Sequence, residues 1–163
     1  MRKMWAVLLH LGSNMWGKPG DCNPCPLEEE MAYHESLYCD RDTWNKVTEY
    51  LPKHGVNTVV IDMGEAVKLD SHPEIAIPGS WEKQEFIEEI RRLRSMGLTP
   101  IPKFNFSCAH NAWMQEYGNM VGTQVYEDFC ADIIRETIEI FDKPEFFHLG
   151  LNDENADYQK YYP

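Results

Sequence analysis

The stretch Asn57-Thr58-Val59-Val60-Ile61-Asp62 decides the fold. Its centre, Val59 to Ile61, is apolar without alternation, which is typical of a parallel strand that is covered on both faces. Three more short runs are rich in apolar, β-branched or aromatic residues. The predicted strands are therefore residues 5–11, 57–62, 99–106 and 145–150.

Between these strands, apolar residues recur at helical spacing. The predicted helices cover about residues 42–54, the segment between Ser80 and Gly97, and the segment that begins near Thr123 and stops before Pro144. Asp40 is the predicted N-cap of the first helix, and Gly55 lies just beyond its end. The side chains predicted to be buried on the three helices are Trp44, Val47, Leu51, Phe86, Ile87, Ile90, Leu93, Val125, Phe129, Ile133 and Phe141.

The third predicted strand contains two prolines, Pro100 and Pro102. Residues two apart in a strand direct their backbone N–H groups to the same neighbour, and proline has no N–H group. We therefore expect weak pairing on that side at the beginning of this strand.

The alternation βαβαβαβ predicts an α/β fold with a right-handed parallel sheet. Loops after the strands are long and loops before them are short, which is typical of a TIM (β/α)8 barrel with its site at the carboxyl ends of the strands. A complete barrel needs ~250 residues, and the chain has 163. We predict one domain, residues 1–163, equivalent to the first four strands and three helices of such a barrel.

Half a barrel leaves the first and fourth strands as open edges. We therefore expect the chain to pair with a copy of itself, as a homodimer, to associate with a missing C-terminal half-barrel, or to aggregate. We also expect no appreciable enzymatic activity from the isolated chain.

The net charge of −12 restricts the class of partner. Nucleic acid and anionic membrane surfaces would be repelled, whereas a neutral ligand such as a carbohydrate is compatible with this charge. No apolar run approaches the ~20 residues of a membrane span. Residues 1–9 are interpreted as part of the first strand instead of a signal peptide, so the predicted location is cytoplasmic.

The cysteines do not predict a disulfide framework, because their number, five, is odd. Cys22-Asn23-Pro24-Cys25 has the spacing of a metal site, and Cys39, Cys108, His34 and His110 lie in or near loops of the same face. No second Cys-x-x-Cys pair accompanies it. We therefore predict neither a metal nor another cofactor.

The densest polar cluster is residues 148–155, directly after Phe146-Phe147. Strand alternation turns His148 and Gly150 to one face, with room beside Gly150 for a ligand or a neighbouring side chain. Adjacent carboxylates such as Asp153 and Glu154 can divide acid and electrostatic roles between them. The alternative is a solvated acidic loop that opens a helix.

Residues 146–150 and the acids after them resemble the His-x-Gly-x-Asp-Glu motif of glycoside hydrolase family 20, the β-hexosaminidase-like barrels. Residues 9–16, 60–64, 71–76 and 100–107 also look like an uncharacterised branch of such barrels. The resemblance covers most of the chain except residues 17–38. It implies a site at the end of strand four, where the motif Asp orients the 2-acetamido group of the substrate and the Glu protonates the leaving oxygen.

Carried over without a gap, the motif places Asn152 at the Asp position and Asp153 at the Glu position. Asn cannot balance the positive charge of the intermediate, and Asp reaches one methylene less far than Glu. A one-residue bulge after Gly150 restores the pair, so we predict Asp153 as the orienting residue and Glu154 as the acid. The alternatives are an inactive carbohydrate-binding relative and a barrel glycosidase with an Asn-Glu acid, for which Asn152 and Glu154 would be the equivalents.

Polar and aromatic residues near the ends of the other strands are candidate sugar contacts, because hydroxyl-rich ligands need converging donors and acceptors. With the polar residues of strand four, the predicted contacts are His10, Asn14, Asp62, Lys103, Asn105, His110, Trp113, His148 and Asn152. The alternative role for Lys103 is a salt bridge with Asp62 or with the acids of strand four. Trp16, Trp113 and Tyr117 could stack on sugar rings or simply cover the core.

Overall fold

A computed structural model describes residues 3–17, 33–106 and 110–150. Along the chain the elements are β1 (Ala6–His10), α1 (Arg41–Lys53), β2 (Thr58–Asp62), β3 (Val67–Lys68), a 3-10 turn (Pro73–Ile75), β4 (Trp81–Glu82), α2 (Lys83–Ser95), β5 (Thr99–Lys103), a 3-10 segment (Ala112–Asn119) and α3 (Gln124–Ile140). The molecule is thus a mixed α/β structure, as predicted. Within the described ranges, no helix has both the length and the apolar character that crossing a membrane would need.

The main sheet is parallel, with the strand order β1-β2-β5. At the carboxyl ends of these strands, the register pairs His10 with Asp62 and Asp62 with Lys103. The register therefore brings the last residue of each strand to one edge of the sheet, which confirms the predicted parallel arrangement of the first three strands.

The fourth predicted strand is reduced to one parallel bridge between Lys103 and His148. His148 N donates to Pro102 O at 2.9 Å, and Phe104 N donates to His148 O at 3.2 Å. Pro100 and Pro102 face this neighbour without an N–H group to donate, so pairing fails before His148. The weak pairing expected from the prolines is confirmed, while the predicted strands at 99–106 and 145–150 were too long.

The three long helices pack beside one another in chain order. Trp44 Nε1 of α1 donates to a carboxylate oxygen of Glu89 in α2 at 2.7 Å. Arg94 of α2 donates to the backbone oxygen of Phe141 at the end of α3, and α2 also packs directly on α3. The sheet face with Val59 and Ile61 is fully buried, whereas Leu8, on the other face, is 41% exposed.

The helix boundaries follow their sequence signals. Asp40 Oδ1 accepts from Thr43 N at 2.7 Å at the start of α1, and Thr123 caps α3 in the same way. Gly55 has a φ of +84°, a conformation that favours glycine after a helix. Most of the predicted core is buried, and Val47 and Ile87 are half-buried.

One predicted core residue was wrong. Val125 is 52% exposed, because in the first turn of α3 it is Tyr126 that packs against the core.

A small second sheet lies between β2 and α2. β3 and β4 pair in parallel through two residues each, Val67 with Trp81 and Lys68 with Glu82. This segment was predicted to be a long loop. Its two strands are too short to show a period in the sequence, so a hydrophobic pattern could not have revealed them.

Candidate functional site

The carboxyl ends of the three parallel strands carry a connected polar cluster. Asp62 Oδ2 accepts from Lys103 Nζ at 2.5 Å and from Asn105 Nδ2 at 2.9 Å, and it lies 3.2 Å from His10 Nδ1. The side chains of Asp62 and Lys103 are 3% and 6% exposed, whereas that of His10 is 50% exposed. We call these four residues the rim cluster.

Within the rim cluster, Asp62 and Lys103 form a buried ion pair. The Lys103 ammonium also donates to Asn105 Oδ1 at 2.6 Å, so two buried acceptors hold it. A charge removed from water needs partners of this kind. The salt bridge considered from the sequence is therefore present, and direct contact of these two side chains with a ligand stays a prediction.

Gly150 brings the chain close to the rim cluster. It has a φ of +62°, and a Cβ at this position would lie 2.2 Å from Phe104 O and 2.7 Å from Asn105 Oδ1. Only glycine allows this approach. The space that the sequence predicted beside Gly150 is taken by a neighbouring residue, Asn105.

Two more of the predicted contacts, both outside the rim cluster, are engaged inside the protein. Asn14 is 1% exposed, and its side-chain amide pairs with the backbone N and O of His34 at 2.8 and 2.9 Å, which joins two loops. Trp113 is also 1% exposed, and its Nε1 donates to Asn105 O at 2.9 Å. Trp113 therefore supports the rim cluster from inside the core and does not offer a stacking surface to solvent.

The other residues considered as sugar contacts are half-buried or exposed. The ring of His110 makes an edge contact with Trp16 at 5.2 Å, and Trp16 is 44% exposed. Tyr117 stacks on Phe129 and donates its hydroxyl to Glu74, so it covers the core. His148 is exposed and follows the rim cluster along the sheet edge.

The predicted site residues Asn152, Asp153 and Glu154 lie outside the described residues, as do Cys22, Cys25 and Cys108 of the metal-like spacing. Across residues 3–17, 33–106 and 110–150, no three His, Cys, Asp or Glu side chains are grouped so as to hold a metal ion. Cys39 and Cys130 are free thiols. Burial raises the pKa of Cys130 to about 11, so this thiol is poorly reactive at neutral pH.

Glu65, on the loop after β2, was not among the residues predicted from the sequence. It is 1% exposed, and its Oε1 accepts from the backbone N of Ser13 at 2.8 Å and of Asn14 at 3.1 Å. Its Oε2 has no partner among the described residues. Burial raises the pKa of Glu65, and the nearby charge of Asp62 adds to the effect. The available signal was an acid close behind Asp62, in the run Asp62-Met63-Gly64-Glu65.

Glycine makes the contact between these two loops possible. A Cβ on Gly12 would lie 2.6 Å from Met63 O and 2.9 Å from Glu65 Oε2. The loop after β1 is thus pressed against the loop after β2, with the Glu65 carboxyl group between them.

We expect Glu65→Ala to lower the free energy of unfolding by about 2 kcal/mol, because it leaves two backbone N–H groups without an acceptor. Glu65→Gln keeps an acceptor oxygen and should cost much less. Urea unfolding of both variants tests this. Equal losses in the two variants would show that the carboxyl oxygen does not hold the loop.

The same residue should make stability depend on pH. Because the pKa of folded Glu65 is raised, the folded state holds its proton more tightly than the unfolded chain. Its contribution to stability is therefore full below pH 4.5 and declines as the pH rises above it, and Glu65→Gln should remove this decline.

A separate cavity of about 510 Å³ opens at the other end of the sheet. It is lined by Lys3, Met4, Asn57, Thr58, Thr99, Glu145 and Phe146. These residues lie at the amino ends of the strands, whereas ligands of parallel α/β sheets bind at the carboxyl ends. The rim cluster is therefore the stronger candidate site.

Among known proteins, the chain matches no family model, and no curated protein matches it significantly. The resemblance to glycoside hydrolase family 20 therefore rests on the motifs quoted above.

Proposed function

We propose that this chain is part of a glycoside hydrolase-like barrel whose carboxyl rim binds a β-linked sugar. Cleavage would be hexosaminidase-like, with 2-acetamido sugars as the first substrate class to test. The observation that carries the proposal is the rim cluster: His10, Asp62, Lys103 and Asn105 come from the ends of three successive parallel strands and meet around one carboxylate.

The strand order supports a barrel. In a doubly wound sheet the order reverses at a switch point, whereas in a barrel each strand lies beside the previous one. Here β1, β2, β5 and the His148 bridge follow one another in chain order. The helices also pack in chain order, as they do around a barrel.

The proposed chemistry uses the acids that follow Gly150. Asp153 would orient the 2-acetamido group, and Glu154 would protonate the leaving oxygen. Gly150 lies against Asn105 of the rim cluster, and three peptide units allow at most about 11 Å between the Cα atoms of Gly150 and Asp153. The motif thus starts beside the proposed sugar site.

The second candidate is carbohydrate binding without cleavage. The ungapped register favours it, because it places Asn152 where the family motif has an acid.

The sheet face opposite the helices exposes apolar side chains, with Leu8 41% and Phe146 45% exposed. A second copy or a C-terminal half-barrel would cover this face and complete the wall of the site.

Calorimetry with N,N′-diacetylchitobiose tests the binding that both candidates share. We expect the chain to bind it and Asn105→Ala to weaken binding about tenfold, because the variant removes the buried amide that holds Lys103 and Asp62 in the rim cluster. Asn45→Ala on α1, where the residue is exposed and remote from the rim, is the matched control. A wild-type chain that binds neither this disaccharide nor N-acetylglucosamine would overturn the proposal.

Turnover of an aryl N-acetyl-β-glucosaminide separates the two candidates. We expect no appreciable turnover by the isolated chain. Turnover that Glu154→Gln abolishes would establish the enzyme. Turnover that survives both Asp153→Asn and Glu154→Gln would contradict the assignment of these acids.

A further inference from the structure

The main sheet ends in an unpaired strand, β1. The strand order β1-β2-β5 gives β1 a neighbour on one side only, within the part of the chain that the structure describes. Trp5 O accepts from Thr58 N at 3.1 Å, and Leu11 N donates to Asp62 O at 2.8 Å. Successive residues of a strand direct their backbone groups to opposite sides. Residues 5, 7, 9 and 11 therefore bond to β2.

The alternate residues of β1 face the open edge. Ala6, Leu8 and His10 each direct a backbone N–H group and a C=O group away from β2, and all three residues are exposed. A row of such groups is a template on which a further strand can pair. Because Leu8 is 41% exposed, a strand added here would also remove apolar surface from water.

The two edges of the sheet differ in their protection. At the β5 edge, Pro100 and Pro102 lack the N–H groups that an added strand needs, and Lys103 is already bridged to His148. The sequence of β1, in contrast, contains no proline, no lysine and no acid. These are the residues by which proteins commonly block an edge strand. The open edge of β1 is therefore the place where a further strand can pair.

The charge of this segment favours a second copy of the chain as the partner. The net charge of the chain is −12, so two copies repel each other over most of their surface. Residues 1–12 differ, because they contain two basic residues, Arg2 and Lys3, and no acidic residue. Two copies that meet along β1 therefore bring no carboxylates of this segment together.

We infer that β1 pairs antiparallel with β1 of a second copy, about a twofold axis at Leu8. In this register Leu8 lies opposite Leu8, and Ala6 lies opposite His10 of the other copy. Each of these pairs exchanges two hydrogen bonds, so the outward backbone groups of all three residues are used. A parallel pairing of the two edges would need a stagger of one residue, which a twofold axis does not allow. An isologous contact of this kind closes at two copies.

Sedimentation velocity of the full chain tests the pairing. We expect the wild type to sediment as a dimer. Leu8→Lys places two like charges opposite each other and removes the contact between the leucines, so it should weaken dimerisation at least tenfold, on the order of one to two kcal/mol. Val125→Lys is the matched control, because Val125 is 52% exposed on α3 and its replacement should leave the dimer intact.

Three results would overturn the inference. They are a wild type that is a monomer at about 100 μM, a wild-type species larger than a dimer, and a Leu8→Lys variant that dimerises like the wild type. The inference goes beyond the proposed function and does not depend on sugar, so the measurement is made without any. A dimer that fails to bind N,N′-diacetylchitobiose would overturn only the proposed function.

Cysteine cross-linking tests the register and does not depend on the behaviour of Leu8→Lys. Leu8→Cys would place two thiols opposite each other, with their Cα atoms about 5.5 Å apart. The thiols of Ala6→Cys would be displaced along the strands, with their Cα atoms roughly 14 Å apart. With a short thiol cross-linker we expect a covalent dimer from Leu8→Cys only, and the wild type reports the background from the native cysteines. Cross-linking of Ala6→Cys as fast as Leu8→Cys, or no cross-linking of Leu8→Cys above the wild type, would contradict the antiparallel pairing.

Discussion

Replacing Lys103 with Met is expected to lower the free energy of unfolding by about 3–5 kcal/mol, because it leaves the Asp62 carboxylate buried without its cation. Asp62 is 3% exposed, and Lys103 Nζ lies 2.5 Å from it. The double variant Asp62→Asn with Lys103→Met removes both charges and should recover most of the loss. Urea unfolding of Lys103→Met, of Asp62→Asn and of the double variant measures this coupling.

An exposed pair provides the control for this result. Lys68 Nζ lies 3.6 Å from Glu82 Oε1, with both side chains more than half exposed. Lys68→Met should cost less than about 1 kcal/mol. If Lys103→Met cost no more than Lys68→Met, the buried ion pair would not be what organises the rim cluster.

Replacing Glu136 with Ala is expected to cost about 3 kcal/mol, because three donors lose their acceptor. This α3 carboxylate accepts from the backbone N of Asp70, the backbone N of Ser71 and Lys83 Nζ, each at 2.8 Å. Glu136 itself is 7% exposed. Glu136→Gln keeps one acceptor oxygen, so it should lose about 2 kcal/mol at neutral pH.

The Glu136 contribution should disappear in acid. Burial opposes its ionisation, but the hydrogen bonds from Lys83 and from the backbone of Ser71 and Asp70 prevail and lower its pKa to about 2. A lowered folded pKa gives stability that is full above pH 4.5 and lost as the pH falls toward 2. Urea unfolding between pH 7 and pH 2 should therefore show Glu136→Gln converging on the wild type.

Glu139→Gln is the matched control, since Glu139 is exposed on the same helix. It should change the free energy of unfolding by less than about 0.5 kcal/mol at every pH. If the loss of unfolding free energy in Glu136→Gln stayed the same across this pH range, the ionised Glu136 carboxylate would not be what holds Asp70, Ser71 and Lys83.

Two carboxylates, those of Glu65 and Glu136, also fix the segment between β2 and α2. Glu65 Oε1 accepts from the backbone N of Ser13 and Asn14, and Glu136 accepts from the backbone N of Asp70 and Ser71. The segment is therefore attached to the rim loops at Glu65 and to α3 at Glu136. Removing the contacts of Glu65 or those of Glu136 should therefore make the loops beside the rim cluster less rigid.

The sequence predicted most of the framework because its signals are local. The apolar run Val59 to Ile61 marks β2, Asp40 and Thr123 mark helix starts, and Pro100 with Pro102 predicts where pairing fails. Each of these signals acts through the residue itself or within one turn of the backbone.

The details of the site depend on contacts between distant residues. Glu65 accepts hydrogen bonds from the backbone of Ser13 and Asn14, some fifty residues earlier in the chain. No sequence pattern predicts a contact between residues this far apart. Trp113 was predicted either to stack on a sugar ring or to cover the core; it covers the core, because its Nε1 reaches Asn105 O and its ring packs on Phe104. Close packing of this kind is decided by tertiary structure and is not encoded in a local pattern.

The central claim is that the carboxyl ends of the strands bind a neutral sugar, and an NMR titration of backbone amides with N,N′-diacetylchitobiose tests it most directly. The claim predicts chemical-shift changes concentrated at His10, Asp62, Lys103, Asn105 and His148. Changes concentrated at Lys3, Asn57 and Thr99, which line the cavity at the opposite end of the sheet, or no changes at all, would contradict it.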